Sequence, residues 1–449
     1  MPADRRLIRS WRTPSALALA ALALAAAAPC APAVAGQTGG AAPTPVAGEP
    51  WFGPGLDWEQ DLPADYAERL GETPSLYAQR VHYPLTEADR GYLASFAEAA
   101  SGQGAVALLT LEPQVALTSL TDDDAKVLAA DLAALHDELD THFLVRFAPE
   151  MNGSWTIWGQ QPERYVAAFR TVAQAVHASE ASSPSHAEMV WSPAYGAGYP
   201  FGRSYGAVPS AGGRVAGVLD TDRDGTVDDG DDPYAPYFPG ARHVDWVGLS
   251  LYHYGDRQDF GNNAVPGAGE LEARLEDRYG YGTRQRRTSF YDRYATADRP
   301  MLVETSALYD TANERGADEL RLKRAWWRQV LASVADHPAI GAISWLELTR
   351  PEAEIDDDVA DWRATHTPAL ASALRRDLDA STVRLGPVTR VVAADTAVAE
   401  PAAGGADDAA GADDARGADD GTVAWRWIPL GLVLVGGAWA ALRLARGRA

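Results

Sequence analysis

The chain has 449 residues, 46% of them hydrophobic, and a formal charge of −23 at pH 7. That length allows one large domain with appendages, and the acidic balance leaves no basic face for phosphates, which excludes nucleic acid as a partner. Cys30, the single cysteine, lies in an N-terminal apolar run, so disulfide, cysteine–zinc and cysteine-nucleophile chemistry are excluded from the body.

The two ends read as addresses. Arg5, Arg6, Arg9 and Arg12 precede an apolar stretch at 16–28, and Ala33-Val34-Ala35 stands before Gly36. This predicts a secretory signal peptide over 1–35, followed by a linker over 36–48 and a folded body over 49–378. From 379 to 424 the chain becomes acidic and of low complexity, with Gly-Ala-Asp-Asp at 405–408, 411–414 and 417–420. Such a segment cannot support a core and reads as a self-repelling spacer. Residues 427–444 are apolar apart from Arg443, and Trp425, Trp427 and Trp439 suit membrane interfaces. A transmembrane helix is expected over 425–444, with a cytoplasmic tail over 445–449. The expectation is an exported protein anchored in the cell membrane, its body outside.

Within the body, β-like runs fall at 51–56, 76–81, 105–111, 143–147, 189–192, 244–251, 301–304 and 342–346. Amphipathic helical runs separate several of them, clearest at 121–139, 162–178 and 317–335. Eight strands interleaved with helices predict an α/β fold, an eight-fold (β/α) TIM barrel. A doubly wound sheet fits less well, because no glycine-rich phosphate turn follows the first strand.

Barrel chemistry gathers at the C-terminal ends of strands. The fourth strand ends in Pro149-Glu150, with Asn152, Trp155 and Trp158 following. The fifth gives Trp191, the sixth Tyr252, the seventh Glu304 and the eighth Trp345. Two carboxyls facing each other across a barrel mouth suit glycoside hydrolysis with retention, which needs an acid/base and a nucleophile about 5–5.5 Å apart. Tryptophan faces beside them suit pyranose rings. Arg146 shares the parity of Glu150 on its strand, so both are expected to point inward, the arginine in a supporting role.

Between the fifth and sixth strands lies Asp220-Thr-Asp222-Arg-Asp224-Gly225-Thr226-Val-Asp228-Asp-Gly-Asp231. Oxygen ligands at positions one, three, five, seven, nine and twelve, with glycine at six, match a calcium loop of the EF-hand or dockerin type. A structural Ca2+ held by Asp220, Asp222, Asp224, Thr226, Asp228 and Asp231 is expected. The hydrolytic chemistry needs no cofactor.

Over 51–378 the chain resembles glycoside hydrolase family 26. The resemblance rests on Arg146-Phe-Ala-Pro-Glu150-Met-Asn-Gly-Ser-Trp155, on Pro239-Gly240 before Val244-Asp-Trp-Val-Gly-Leu-Ser-Leu-Tyr252, on Pro300-Met-Leu-Val-Glu304-Thr, and on Ser344-Trp345 followed by Asp361-Trp362-Arg363. It implies Glu150 as acid/base, Glu304 as nucleophile and Tyr252 as the phenol supporting the nucleophile. Trp155 and Trp345 are implied as sugar platforms, with Trp158, Asn152 and Trp191 lining the substrate site. The implied substrate is β-1,4-mannan, cleaved internally. A β-glucanase, a β-1,3-xylanase and a non-catalytic carbohydrate-binding barrel are the alternatives. The chain departs from the family at Pro149, where mannanases usually carry histidine, and that departure bears on which sugar is bound.

Overall fold

The computed structural model describes residues 42–391 apart from 59, 184, 202–212, 257–258, 282–287, 314 and 353–354. The predicted signal peptide, acidic repeats and membrane helix lie outside the described residues. No helix among the described residues is long and apolar enough to cross a membrane.

Eight strands form the centre: β1 (Trp51–Leu56), β2 (Leu76–Tyr83), β3 (Val106–Pro113), β4 (Phe143–Phe147), β5 (Ala187–Trp191), β6 (Trp246–His253), β7 (Met301–Ala307) and β8 (Ile340–Glu347). They pair in parallel and close into a barrel, each strand beside its sequence neighbours and β1 beside β8. The connections carry α1 (Pro63–Leu70), α2 (Glu87–Gly102), α3 (Asp122–Leu139), α4 (Pro162–Ser179), α5 (Arg214–Leu219), α6 (Glu270–Leu275), α7 (Phe290–Tyr294) and α8 (Glu319–Ser333), and α9 (Pro368–Asp379) follows β8. The TIM barrel expected from the alternation is the observed fold.

Strand parity sorts the side chains into two cores. Phe143, Val145 and Phe147 of β4 face the helices, where Phe147 stacks on Tyr165 of α4 and meets Phe169 edge-on. Leu144 instead joins Leu76, Val106, Leu108, Val190, Trp246, Leu302 and Ala342 in a separate cluster that fills the barrel. Nonpolar filling toward the N-terminal ends of the strands leaves the inward positions nearer the other end for charged groups. On β4 the next inward residue after Leu144 is Arg146, and on β7 the next after Leu302 is Glu304.

Local signals start the helices. The Thr121 hydroxyl accepts the Asp124 amide, and the Asp124 carboxylate accepts the Thr121 amide at 2.8 Å. That reciprocal cap, plus the acidic first turn, complements the positive helix end.

The ordered body is longer than the sequence reading allowed. Past α9 the chain runs back along the barrel, with Arg384 N–H on Pro50 O at 2.8 Å and Val388 N–H on Gly104 O at 2.8 Å. The acidic linker therefore does not start at 379: backbone pairing holds the stretch from 384 to 389 against the domain. Before β1, Gly48 N–H is likewise fixed on Pro338 O at 3.1 Å.

Loops beyond β6, β7 and β8 add two small sheets. One pairs Gly255–Asp256 with Asp259–Phe260, and the other joins Tyr309–Asp310, Val359–Asp361 and Thr349–Pro351. The second is tied down by Lys323 of α8, whose buried ammonium lies 2.5 Å from Glu319, 3.4 Å from Asp361 and 2.6 Å from the Arg363 carbonyl. The carboxylates of Glu319 and Asp361 lie close to His366 in an arrangement that could hold a metal, but their cation is the chain's own lysine.

Candidate active site

Glu304 is the most heavily engaged carboxylate at the barrel mouth. Its register neighbours are Ser250 on β6 and Ser344 on β8, both small. Arg146 reaches across from β4 and places Nη1 2.7 Å from Glu304 Oε1. Its Nη2 donates to Ser250 Oγ at 3.0 Å, and that hydroxyl donates to Glu304 Oε2 at 3.3 Å. Arg80 of β2 adds a second cation, with Nη2 3.5 Å from Oε1. Tyr252 donates its phenolic hydrogen to the same carboxylate.

Burial pushes the Glu304 carboxyl up, but the charges of Arg146 and Arg80, the Tyr252 hydrogen bond and the Arg146 hydrogen bond outweigh it and hold the group at about 2. Glu304 is thus an anion at every ordinary pH. The Tyr252 phenol moves the other way, first through burial and then through the charges of Glu304 and Glu150, so it keeps its proton and stays a donor. The charges of both glutamates reach this one phenol.

Glu150 is held by a strained arch. Ala148 and Glu150 both adopt left-handed backbone, with φ of 45° and 57°, which costs about 1–3 kcal/mol per residue unless the surroundings enforce it. They do enforce it. Ala148 N–H binds Leu111 O at 2.9 Å and Glu150 N–H binds Ser192 O at 2.8 Å. The Trp158 indole donates to Pro149 O at 2.8 Å. Asn152 clamps Ala194 through both its donor and its acceptor, each at 2.8 Å. At the tip, the Trp155 indole donates to Glu150 Oε2 at 2.9 Å.

These contacts revise the roles of the predicted lining residues. Trp155, Trp158 and Asn152 do gather around Glu150, but as buried donors that aim it and brace its loop. Trp345 and Trp191 offer no sugar platform. Ser344 pairs with the inward Glu304, so Trp345 points outward, where it packs on Trp327 of α8 and donates to Trp362 O at 3.0 Å. Trp191 likewise follows the inward Val190 and packs among Phe238, Phe290 and Tyr294. Beside Tyr252 stand the buried Trp362, at a ring centroid distance of 5.4 Å, and Tyr254, at 6.0 Å, and Tyr254 meets Phe260 at 5.7 Å.

Sequence reading missed Arg80 and its partner Glu112, whose Oε1 accepts from Arg80 Nη1 at 2.9 Å. The available signal was parity: Arg80 follows Leu76 and Ala78 on the inward side of β2, as Glu112 follows Leu108 and Thr110 on β3.

The acidic loop after α5 gathers part of its expected ligand set. Oxygens of Asp220, Asp222 and Asp224 lie within 4.8 Å of one another, a donor set suited to a hard cation. Gly225, at φ 94°, makes the turn. Asp231 does not join them. Its Oδ1 accepts the Thr221 and Asp222 amides and its Oδ2 accepts the Asp228 amide, so it closes the loop from a buried position. Thr226 donates to Asp224, and the Asp228 carboxylate caps Gly230 N–H.

No protein-family model matches the chain, and no curated protein does. Among solved structures the chain is similar to a glycoside hydrolase family 26 β-mannanase from Bacteroides ovatus, with 12% identity, 76% of this chain and 92% of that one covered, and a TM-score of 0.47. It is also similar to a modular family 26 endo-β-1,4-mannanase from Cellulomonas fimi (15% identity, 73% and 68% covered, TM-score 0.44). A third is the GH26A protein of a Muricauda species (13% identity, 66% and 83% covered, TM-score 0.36). At identities of 12–15%, the role of each residue is read from its own surroundings in this chain.

The buried ion pair makes a quantitative prediction. Arg146→Met should destabilise the fold by about 3–5 kcal/mol at pH 7, because Glu304 loses its main compensating charge. A carboxyl held at about 2 contributes stability that is full above its unfolded value of about 4.3 and is lost as pH falls through the folded value. The gap between parent and variant should therefore narrow from pH 7 to pH 3, measured by urea unfolding.

Proposed function

We propose that the chain is a retaining glycoside hydrolase that cleaves a β-linked polysaccharide internally, β-1,4-mannan ahead of β-glucan or β-1,3-xylan. The observation that carries this reading is the pairing at the barrel mouth of Glu304, an anion enforced by Arg146, with a second carboxyl, Glu150, aimed by its strained loop and the Trp155 indole. Retention needs such an asymmetric pair.

In the first step Glu304 attacks the anomeric carbon while Glu150 gives its proton to the glycosidic oxygen, and the leaving sugar departs as an alcohol. In the second step water attacks the same carbon, Glu150 takes the water proton, and Glu304 leaves as a carboxylate. The two arginines that weaken Glu304 as a base also make it a better leaving group in that second step. Tyr252 can follow the charge, donating more strongly to the carboxylate than to the glycosyl ester. Tyr254 and Phe260, half-buried beside it, are assigned here as the apolar faces for neighbouring sugar rings in place of Trp191 and Trp345.

Glu304→Gln, which keeps shape and removes the nucleophile, should lower polysaccharide hydrolysis by at least about 10³-fold, on the order of 4 kcal/mol of barrier. Reducing-sugar release from mannan, β-glucan and β-1,3-xylan checks this. Equal rates in parent and variant would exclude Glu304 as nucleophile.

Two accessory assignments go with this reading. The chain is assigned as exported and held at the cell membrane by 425–444, so that polymer outside the cell reaches the mouth. Asp220, Asp222 and Asp224 are assigned as ligands of a structural calcium ion. Adding a calcium-specific chelator should then lower the melting temperature, with recovery on calcium addition but not on magnesium addition. An unchanged melting curve would remove the ion.

A further inference from the structure

The groups that surround Glu304 differ in what they leave open. Arg146 is 1% exposed and Ser250 5%, so both hold the carboxylate from buried positions. The Arg80 side chain is 18% exposed and that of Glu112 12%. Both face the barrel mouth from the C-terminal halves of β2 and β3, where Arg80 pairs in register with Thr110 and His82 with Glu112. Arg80 commits one N–H firmly, to Glu112 at 2.9 Å, and another only at 3.5 Å, to Glu304. The second distance is at the limit of a hydrogen bond, so a ligand oxygen placed between them would compete well for that donor. A guanidinium carries five N–H donors and an ionised carboxylate only acceptors.

Arg80 supports the Glu304 anion only as a second cation behind Arg146, which meets it at 2.7 Å. On the β4 side, Pro149 has no N–H and no polar side-chain atom, and its carbonyl is occupied by the Trp158 indole. The position before Glu150 therefore offers nothing to a sugar hydroxyl, whereas Arg80 and Glu112 offer both a donor and an acceptor.

We propose that Arg80 and Glu112 together read the hydroxyl next to the anomeric carbon of the sugar ring attached to Glu304, Arg80 donating to its oxygen and Glu112 accepting its hydrogen. The proposal rests on the hydrolase reading above and deepens it. A hydroxyl is at once donor and acceptor, and this pair supplies both complements from one ion pair. Replacing that hydroxyl by hydrogen leaves a buried donor and acceptor without partners, the situation in which polar sites discriminate most strongly.

The experiment uses the full chain and its Glu112→Gln and Glu112→Asp variants, none of which alters Glu150 or Glu304. Aryl β-oligoglycosides are compared with and without the C2 hydroxyl on the ring bearing the aryl group, made from whichever sugar the parent hydrolyses. The parent should prefer the hydroxylated substrate by at least about 100-fold in kcat/KM. Glu112→Gln should lose at least about tenfold of that preference, Glu112→Asp less, with melting temperatures close to the parent and an unchanged acid limb of the pH profile. The same preference in all three proteins overturns the proposal and leaves the hydrolase reading standing. Activity losses that follow a falling melting temperature equally for both substrates assign Glu112 a structural role and also overturn it. A parent inert on mannan, β-glucan and β-1,3-xylan overturns both.

Discussion

The buried contact between Arg146 and Glu304, 2.7 Å across the barrel, is the constraint around which the rest is arranged. A carboxylate at the inner wall of a dry barrel would ordinarily take up a proton rather than remain charged. Arg146 prevents this, and the eight-stranded closure fixes it opposite β7. The apolar plug beneath, from Leu76 to Trp246 and Leu302, keeps water away from one side and makes the pair strong. Ser250 and Ser344 leave room for it, since larger residues at those register positions would displace the carboxylate. Fold and chemistry meet in that one contact.

Glu150 solves the opposite problem. It is held by geometry, with no cation among its hydrogen-bond partners: two left-handed residues, a tryptophan on the Pro149 carbonyl, and an asparagine clamp to Ala194. The cost of the arch is met by hydrogen bonds reaching β3 and the loop beyond β5. In the proposed reaction, a carboxyl that gives and takes a proton is better served by fixed direction than by a fixed charge. The two carboxyls are asymmetric in cause, one set by charge and one by backbone.

The barrel was legible in the sequence because most of its strands are buried on both faces and read as short apolar runs, although the runs at 301–304 and 342–346 fall short of the strands observed. The two glutamates stood out as charged residues beside apolar runs, although Glu304 lies inside β7 and Glu150 three residues past β4. The tryptophans were less legible. Trp345 and Trp191 stand at strand ends as a platform would, but period-two alternation turns them outward once the inward residue is known, and register is a property of neighbouring strands. Arg80 was hidden for the same reason: a charged residue within an apolar run shows its meaning only when Glu112 and Glu304 stand beside it. Asp231 fits the spacing of a metal ligand, yet a carboxylate that can bind an ion can equally accept three amides, and spacing does not distinguish the two. The end of the body was missed because 384–389 offers only Leu385 and Val388 to the core and is held largely by backbone pairing.

The central claim is that Glu304 forms a covalent bond with the sugar, and trapping that bond tests it most directly. An activated 2-deoxy-2-fluoro β-glycoside of the preferred sugar slows breakdown of the intermediate more than its formation, so the adduct accumulates. Mass spectrometry of the digested chain should find one added sugar on the peptide containing Glu304, and none when Glu304 is replaced by Gln. A sugar on a different residue, or hydrolysis of polysaccharide with inverted anomeric configuration and no adduct, would contradict the account.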